Sequence, residues 1–256
     1  MKNKVLGTVM GAALLAGSAT AVADDTFAAE NFSATLTLTQ DYTFRGTTFS
    51  ESDPAIQGSF DWGKGAWFAG VWGSSLNPQE TTNDFTAISG SGTLEVDYYF
   101  GWADNVGGVD LMVMPLWYTF PGQDKSNARD DTTFELWTSA GIGFDNVPGA
   151  PYVTLSANWS DAYFDHGGDA LYTSLGVAFS LPQGFGIDFL YGHQDVGGTG
   201  ENDFFVDDYS HWAVGITKSA AGFDFDMRYH DNEDVSDIGE GFALDGDVVF
   251  SVSRSF

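Results

Sequence analysis

The 256-residue chain contains no cysteine. That excludes disulfides, thiol nucleophiles and cysteine-ligated metal, so an exported protein of this size must be held by packing and hydrogen bonds. Basic residues are scarce too: nine Lys and Arg stand against 36 Asp and Glu, a formal net charge of −27. A surface of that sign repels phosphate backbones and acidic substrates, which excludes nucleic acid as a partner. Proline is sparse, at seven residues. Beyond the N-terminal region no run of 18 apolar residues occurs, so no transmembrane helix is expected.

What is present points elsewhere. The opening MKNKVLGTVMGAALLAGSATAVADD has two lysines, an apolar run and the small-residue site Ala21-Val22-Ala23. It reads as a secretory signal over residues 1–23, with residues 24–256 as one mature domain. Losing Lys2 and Lys4 takes the formal charge to −27 − 2 = −29. Glycine (32) and aromatics (Phe 22, Tyr 10, Trp 8) abound, the mixture of a β-rich chain with many tight turns.

Period-two alternation recurs throughout. In NFSATLTLTQDYTFRG the even positions Phe32, Ala34, Leu36, Leu38, Tyr42 and Phe44 are mostly apolar, and the odd ones from Ser33 to Arg45 are polar. The ending DVVFSVSRSF sets Val248, Phe250, Val252 and Phe256 against Ser251, Ser253 and Ser255. A pleated strand sends such residues to opposite faces. Twelve candidate strands emerge, several about ten residues long, the length a tilted strand needs to cross a bilayer. Two of them, AWFAGVWGSS and VDLMVMPLWYTF, are apolar on both parities, which leaves the registers of 66–75 and 109–120 open.

Connections and charges choose the architecture. Connections at 46–54, 76–91, 121–131, 164–169, 195–208 and 231–242 alternate with shorter ones: GKG, 103–108, 145–151, PQ and SAAG. Outer-membrane barrels sort long loops outward and short turns to the periplasm; a soluble β-sandwich, which also alternates, has no reason to. Ionisable residues within strands keep to the polar parity, apart from Asp161 and Arg254 near strand ends. Aromatic girdles are expected at both rims, from Trp62, Trp67, Trp102 and Phe144 at one and Phe44, Trp117, Trp159, Tyr163 and Tyr191 at the other. The expected fold is all-β: a transmembrane antiparallel up-and-down β-barrel of about 12 strands in a Gram-negative outer membrane, with Phe256 closing the last strand at the lipid boundary.

At LTQDYTFRGTTFS, PAIQGSFDW and AWFAGVWGSS the sequence resembles the TorF family of proteobacterial porins. The resemblance rests on Asp41 to Gly46 (Asp-Tyr-x-Phe-Arg-Gly), Pro54 to Gly58 (Pro-Ala-x-Gln-Gly), and the later YTFPG, TFELW and VVFSVSRSF. It covers nearly the whole mature chain and implies a barrel and porin-like transport. Thr47-Thr48-Phe49 departs from the family's tendency to an aliphatic residue followed by Ser-Gln.

Twelve strands should leave a narrow lumen, between the side-chain-filled eight and the wide sixteen. Its expected lining includes Arg45, Glu95, Asp97, Glu135, Asp188, Asp226 and Arg228, with Asp97, Asp188 and Asp226 nearest mid-membrane and Arg228 paired to a neighbouring carboxylate. Carboxylates in a low-dielectric wall favour cations, so passive diffusion of small solutes or ions with weak cation selectivity is expected. The blander alternative is that these acids only solvate a small interior. On inferred inward parity Phe68, Trp72, Met112, Met114, Leu116 and Tyr118 would give the lumen an apolar wall, unless those registers are misread.

Two other classes compete. His193, His211 and His230 lie at strand ends beside Asp195, Asp207, Asp208 and Asp231, and the inward pair His211/His230 could serve an outer-membrane enzyme. No serine or asparagine accompanies them as in barrel lipases, so no catalytic residue, metal site or cofactor is assigned. An acidic surface or adhesion barrel is the other: the outer loops hold 19 acids against Lys125 and Arg129, 2 − 19 = −17. DNEDVSDIGE and ENDFFVDD match no calcium-loop spacing, and GGTG has no strand-to-helix context for phosphate. Expected partners are outer-membrane lipid and lipopolysaccharide, small solutes or cations, and no nucleic acid; monomer and homo-oligomer both remain open.

Overall fold

A computed structural model describes residues 25–76, 93–122, 132–163, 168–197, 208–233 and 243–256. The expected leader at 1–23, the loop cations Lys125 and Arg129, and most of the DNEDVSDIGE, ENDFFVDD and GGTG segments lie outside the described residues. The strands are β1 (Phe32–Thr39), β2 (Thr43–Phe44), β3 (Thr47–Thr48), β4 (Ala55–Lys64), β5 (Trp67–Ser75), β6 (Leu94–Val106) and β7 (Val109–Thr119). They continue as β8 (Thr132–Gly143), β9 (Tyr152–Ser160), β10 (Ala170–Ser180), β11 (Phe185–Val196), β12 (Tyr209–Ala220), β13 (Phe223–Asn232) and β14 (Asp245–Ser255).

Twelve of these, all but the short β2–β3 hairpin, pair antiparallel with their chain neighbours and close when β1 meets both β4 and β14. Closure leaves no strand edge unpaired. At the seam Phe256 N–H donates to the Ala34 carbonyl at 2.9 Å, beyond the last residue of β14. The final phenylalanine is thus hydrogen-bonded into the barrel, as the terminal alternation implied.

Connections fall into two classes on opposite rims. One rim carries residues 40–54, 76–93, 120–131, 161–169, 197–208 and 233–244; the other carries 65–66, 107–108, 144–151, 181–184 and 221–222. The tightest turns have the backbone that two-residue hairpins require: Gly107 and Gly108 have φ of 64° and 93°, and Ala221 and Gly222 have 55° and 80°. Ala221 holds a left-handed conformation that costs an L-residue about 1–2 kcal/mol. Ala221→Gly is therefore expected to stabilise the barrel by about 1 kcal/mol. A higher urea midpoint for folding into detergent micelles would register it. The expected connection at 103–108 is shorter than anticipated, because pairing of Ala103 to Met112 and Val106 to Val109 carries β6 to its turn.

The pleat sorts the two faces as the alternation implied. Leu36, Leu38, Ile56, Phe60, Phe100, Leu155, Leu175, Phe189, Ile216, Met227 and Phe250 are exposed on the outer wall, drawn from strands around the whole circumference. Such a belt far exceeds the apolar patch a water-facing barrel carries. The inner face holds the buried set, including Trp72, Met114, Leu116, Tyr118, Glu95, Asp97 and Glu135. The apolar inward parity inferred for Phe68, Trp72, Met112, Met114, Leu116 and Tyr118 therefore holds, and those registers were not misread.

Candidate functional site

The long-loop end of the lumen is filled by the chain itself. β1 ends at Thr39, and residues 40–54 fold inward instead of extending the strand to Gly46 as the alternation suggests. Tyr42, Phe44, Arg45, Thr47, Thr48, Phe49 and Ser50 are all buried. The segment is organised by its own polar groups. Asp41 Oδ1 accepts the Thr48 and Ser50 hydroxyls at 2.6 and 2.8 Å, and Tyr42 N–H donates to Ser50 Oγ at 2.8 Å. Between β2 and β3 the turn residues Arg45 and Gly46 both have positive φ, 49° and 79°. That geometry suits Gly46 and strains Arg45.

Aromatic packing seats the segment. Tyr42 packs on Phe49 and Trp72 with ring centroids 5.2 and 5.5 Å apart, and Phe44 meets Tyr118 edge-on at 6.1 Å. With Leu76, Tyr99, Met114, Leu116, Phe120, Trp137, Tyr163, Val196 and Tyr209 these rings make one apolar core inside the barrel. Gly46 lies so close to β12 that an added Cβ would sit 2.5 Å from His211 Cβ, which leaves room only for hydrogen. Its carbonyl accepts the Leu244 N–H at 2.9 Å and Asn232 Nδ2 at 3.3 Å, while Thr47 bridges to Ala243.

Arg45 is the polar centre of this plug. Its guanidinium makes a bidentate pair with Glu135, Nη1 to Oε1 at 2.9 Å and Nη2 to Oε2 at 2.7 Å, and Nη1 also donates to Gln194 Oε1 at 2.9 Å. Asn158, with its amide turned so that the oxygen faces Arg45 Nη2, accepts at 3.2 Å. Tyr172 and Phe44 stack on the cation at 4.3 and 4.6 Å, with Trp137 and Tyr163 each at 5.7 Å. Glu135 also receives the Tyr118 hydroxyl at 2.8 Å and Trp137 Nε1 at 2.6 Å. A buried ion pair survives desolvation only when its remaining lone pairs and hydrogens are satisfied, and here they are.

A second charged group lies lower. Asp188, Gly215 and Arg228 occupy one row across β11, β12 and β13. Arg228 reaches over Gly215 to Asp188, with Nη1 to Oδ1 at 2.5 Å and Nη2 to Oδ2 at 3.0 Å, and Nη2 also donates to Asp226 at 3.0 Å. A Cβ on residue 215 would stand 2.4 Å from Arg228 Nη2, so glycine there is what lets the arginine cross the wall. Around and below this level the inward positions are less buried and mix the small Gly70, Ser139, Gly176, Gly186, Ser251 and Ser253 with the larger Phe68, Met112 and Tyr152. The interior is packed most tightly at the long-loop rim, and its inward residues become less buried toward the short-turn rim.

The seven residues proposed to line a lumen thus separate into two tiers. Arg45, Glu95, Asp97 and Glu135 gather near the long-loop rim, and Asp188, Asp226 and Arg228 gather lower, toward the middle of β11 and β13. Asp97, expected near mid-membrane, sits only four residues into β6 and belongs to the upper tier. Arg45, placed by the alternation at the end of β1, stands instead on the inserted hairpin. Arg228 does pair with neighbouring carboxylates. Phe44 and Tyr163, expected in the outer girdle, are buried in the lumen, whereas Trp117, Trp159 and Tyr191 keep outward positions. His211 and His230 share the inner face as diagonal neighbours, since His211 pairs with Asn232 and Ala213 with His230. His211 Nε2 is 2.9 Å from the Tyr172 hydroxyl, and among the described residues no three His, Asp or Glu side chains are grouped to hold a metal. Gln194, Asn158 and Tyr172 carried no sequence signal, because each belongs to a different strand and meets Arg45 only when residues 40–54 fold inward.

Comparisons with known proteins agree on the fold. The NanC porin superposes with a TM-score of 0.50 at 9% identity, covering 88% of this chain and 98% of that one. LpxR from Salmonella typhimurium gives 0.49 at 12% identity over 88% and 99%, and an outer membrane channel from Pseudomonas putida F1 gives 0.45 at 13% over 88% and 95%. No curated protein sequence matches the chain. At these identities the NanC likeness establishes the barrel architecture alone. The match to a family model runs over residues 23–256 and carries the description "Bacterial protein of unknown function", which does not by itself confirm the TorF resemblance. With all but its first residues matched, the chain belongs to the Gcw_chp family of bacterial proteins.

Proposed function

We propose that this protein is an outer-membrane channel for passive diffusion of small solutes or ions, narrow and cation-preferring, shut at its outer rim by residues 40–54. The observation that carries the reading is the plug's construction: one segment fills one end of a polar-walled lumen and is anchored by one ion pair, Arg45 to Glu135. A barrel whose interior merely needed filling would do so from its walls, as small barrels do. Here the inserted segment packs the long-loop end, while the inward residues toward the short-turn rim are less buried. The barrel fold shared with the NanC porin fits this reading.

Cation preference follows from the wall. Asp61, Glu95, Asp97, Asp110, Glu135, Asp188 and Asp226 face the lumen, against Arg45 and Arg228, and both arginines are spent on carboxylates. With the plug displaced, the exposed field is negative and low-dielectric walls focus it. Partners on this reading are lipid and lipopolysaccharide around the belt and small solutes or cations within. The test is planar-bilayer recording of the refolded protein in a KCl gradient, beside a variant in which residues 41–53 are replaced by a short Gly-Ser link. The shortened variant is expected to conduct with a cation-selective reversal potential, and the intact chain to conduct less. Silence from both would remove the channel, and an anion-selective potential would remove the preference.

A further inference from the structure

Glu95 and Asp97 face inward from the long-loop end of β6, and neither side chain has measurable exposure. Among the described residues none of their four carboxylate oxygens has a hydrogen-bond partner, and neither has the hydroxyl of Tyr42, which lies beside Glu95. The flanking strands offer no relief. Ser74, opposite Glu95 on β5, donates its hydroxyl to the Ser75 carbonyl at 3.0 Å, and Tyr118, opposite Asp97 on β7, donates to Glu135 at 2.8 Å. Arg45 is committed to Glu135. Two adjacent buried carboxylates with nothing but one phenol hydroxyl beside them carry a desolvation cost that a proton or a metal cation would offset.

We propose that Glu95, Asp97 and the Tyr42 hydroxyl form a site for a hard divalent cation of the Mg2+ or Ca2+ class, clipping the inserted segment to the barrel wall. Two carboxylates cancel a charge of +2, and an all-oxygen donor set selects hard ions over zinc or copper. Positions i and i+2 of a strand share one face, so the two carboxylates point the same way. Mg2+ in particular is commonly held by one or two carboxylates, with water completing its shell. The ligands come from two parts of the fold, the acids from β6 and the hydroxyl from residues 40–54, so the ion ties plug to wall independently of whether the barrel conducts.

The test uses the full mature protein refolded in detergent and stripped with EDTA. Trp72 opposes Asp97 in register and packs 5.5 Å from the Tyr42 ring, so it should sensitise Tb3+ bound at this position. A Tb3+ luminescence component displaced by Ca2+ or Mg2+ is expected in the wild type and absent from Glu95→Gln/Asp97→Asn. Tyr42→Phe should weaken it about tenfold, the loss typical when one supporting group of a metal site is removed. The thermal midpoint should rise with Ca2+ or Mg2+ in the wild type and not in the double variant, which loses two unpaired charges and has no reason to misfold. Equal luminescence and equal metal response in both proteins would assign the binding to the acidic loops and overturn the site. So would a wild-type midpoint that moves with pH but not with metal, the behaviour of a pair that only shares protons.

Discussion

Arg45→Ala is expected to release residues 40–54 from the lumen and to raise single-channel conductance severalfold over the intact protein. The alanine removes a bidentate partner from Glu135, whose carboxylate is wholly buried, and strips the cation from the aromatic ring of Tyr172, Trp137 and Tyr163. Removing one partner of a buried pair leaves an uncompensated charge and costs about 3–5 kcal/mol. Within a barrel of twelve strands that penalty need not unfold the wall, because the segment can leave and admit water to Glu135. The double variant Arg45→Ala/Glu135→Gln separates the two effects. It lacks the stranded charge, so it should recover much of the stability while the loop remains unanchored. Measured together, conductance and the temperature at which the folded gel band is lost should part company in the double variant. If conductance stays at the wild-type level in both, the ion pair is not what holds the plug.

Arg228→Gln should act at the other tier and in a different currency. Asp188 and Asp226 would lose their shared cation at a level where the side chains keep 11–17% exposure, so the stability loss should be about 2 kcal/mol, below the figure for full burial. The larger effect should be electrical. Two carboxylates now neutralised by one arginine would face the permeation path, and the reversal potential in a KCl gradient should shift toward the potassium potential. The shift is best read in the loop-shortened background, where current is not limited by residues 40–54. A shift toward chloride, or none, would mean that this tier does not line the path.

Much of the architecture was legible before any coordinates. A period of two on twelve segments, charges confined to one parity and connections sorted by length each follow from a wall with lipid on one side and a small polar interior on the other. Even the strands apolar on both faces, Trp67–Ser75 and Val109–Thr119, had the correct inward residues. The plug was not legible, and the reason is specific. Gln40 breaks the apolar parity once and Asp41 to Arg45 then resumes it in phase, so Tyr42 and Phe44 read as lipid-facing and Arg45 as the last lumen residue of a long strand. Alternation reports that two faces differ; it cannot report that a hydrophobic face is meeting other side chains instead of lipid. The local signs of a turn, Gln40 on the apolar parity and the Arg-Gly pair, are weaker than the resumed alternation. The cage around Arg45 was out of reach for another reason: Glu135, Asn158, Tyr172 and Gln194 come from four consecutive strands whose register aligns them, and only the inward fold of residues 40–54 brings Arg45 to that row.

The contacts of Gly46 also bear on biogenesis. Its carbonyl holds the Leu244 amide, and Thr47 bridges to Ala243, so the first loop is tied to the residues that lead into the final strand. Nearly two hundred residues separate these partners in the chain, and contacts that distant form late. A nascent barrel still lacking β14 already offers Trp72, Tyr118 and Glu135 to the segment, but not these two contacts. The last stave therefore adds the final clasp on the first loop, and closing the seam and fastening that loop are one event.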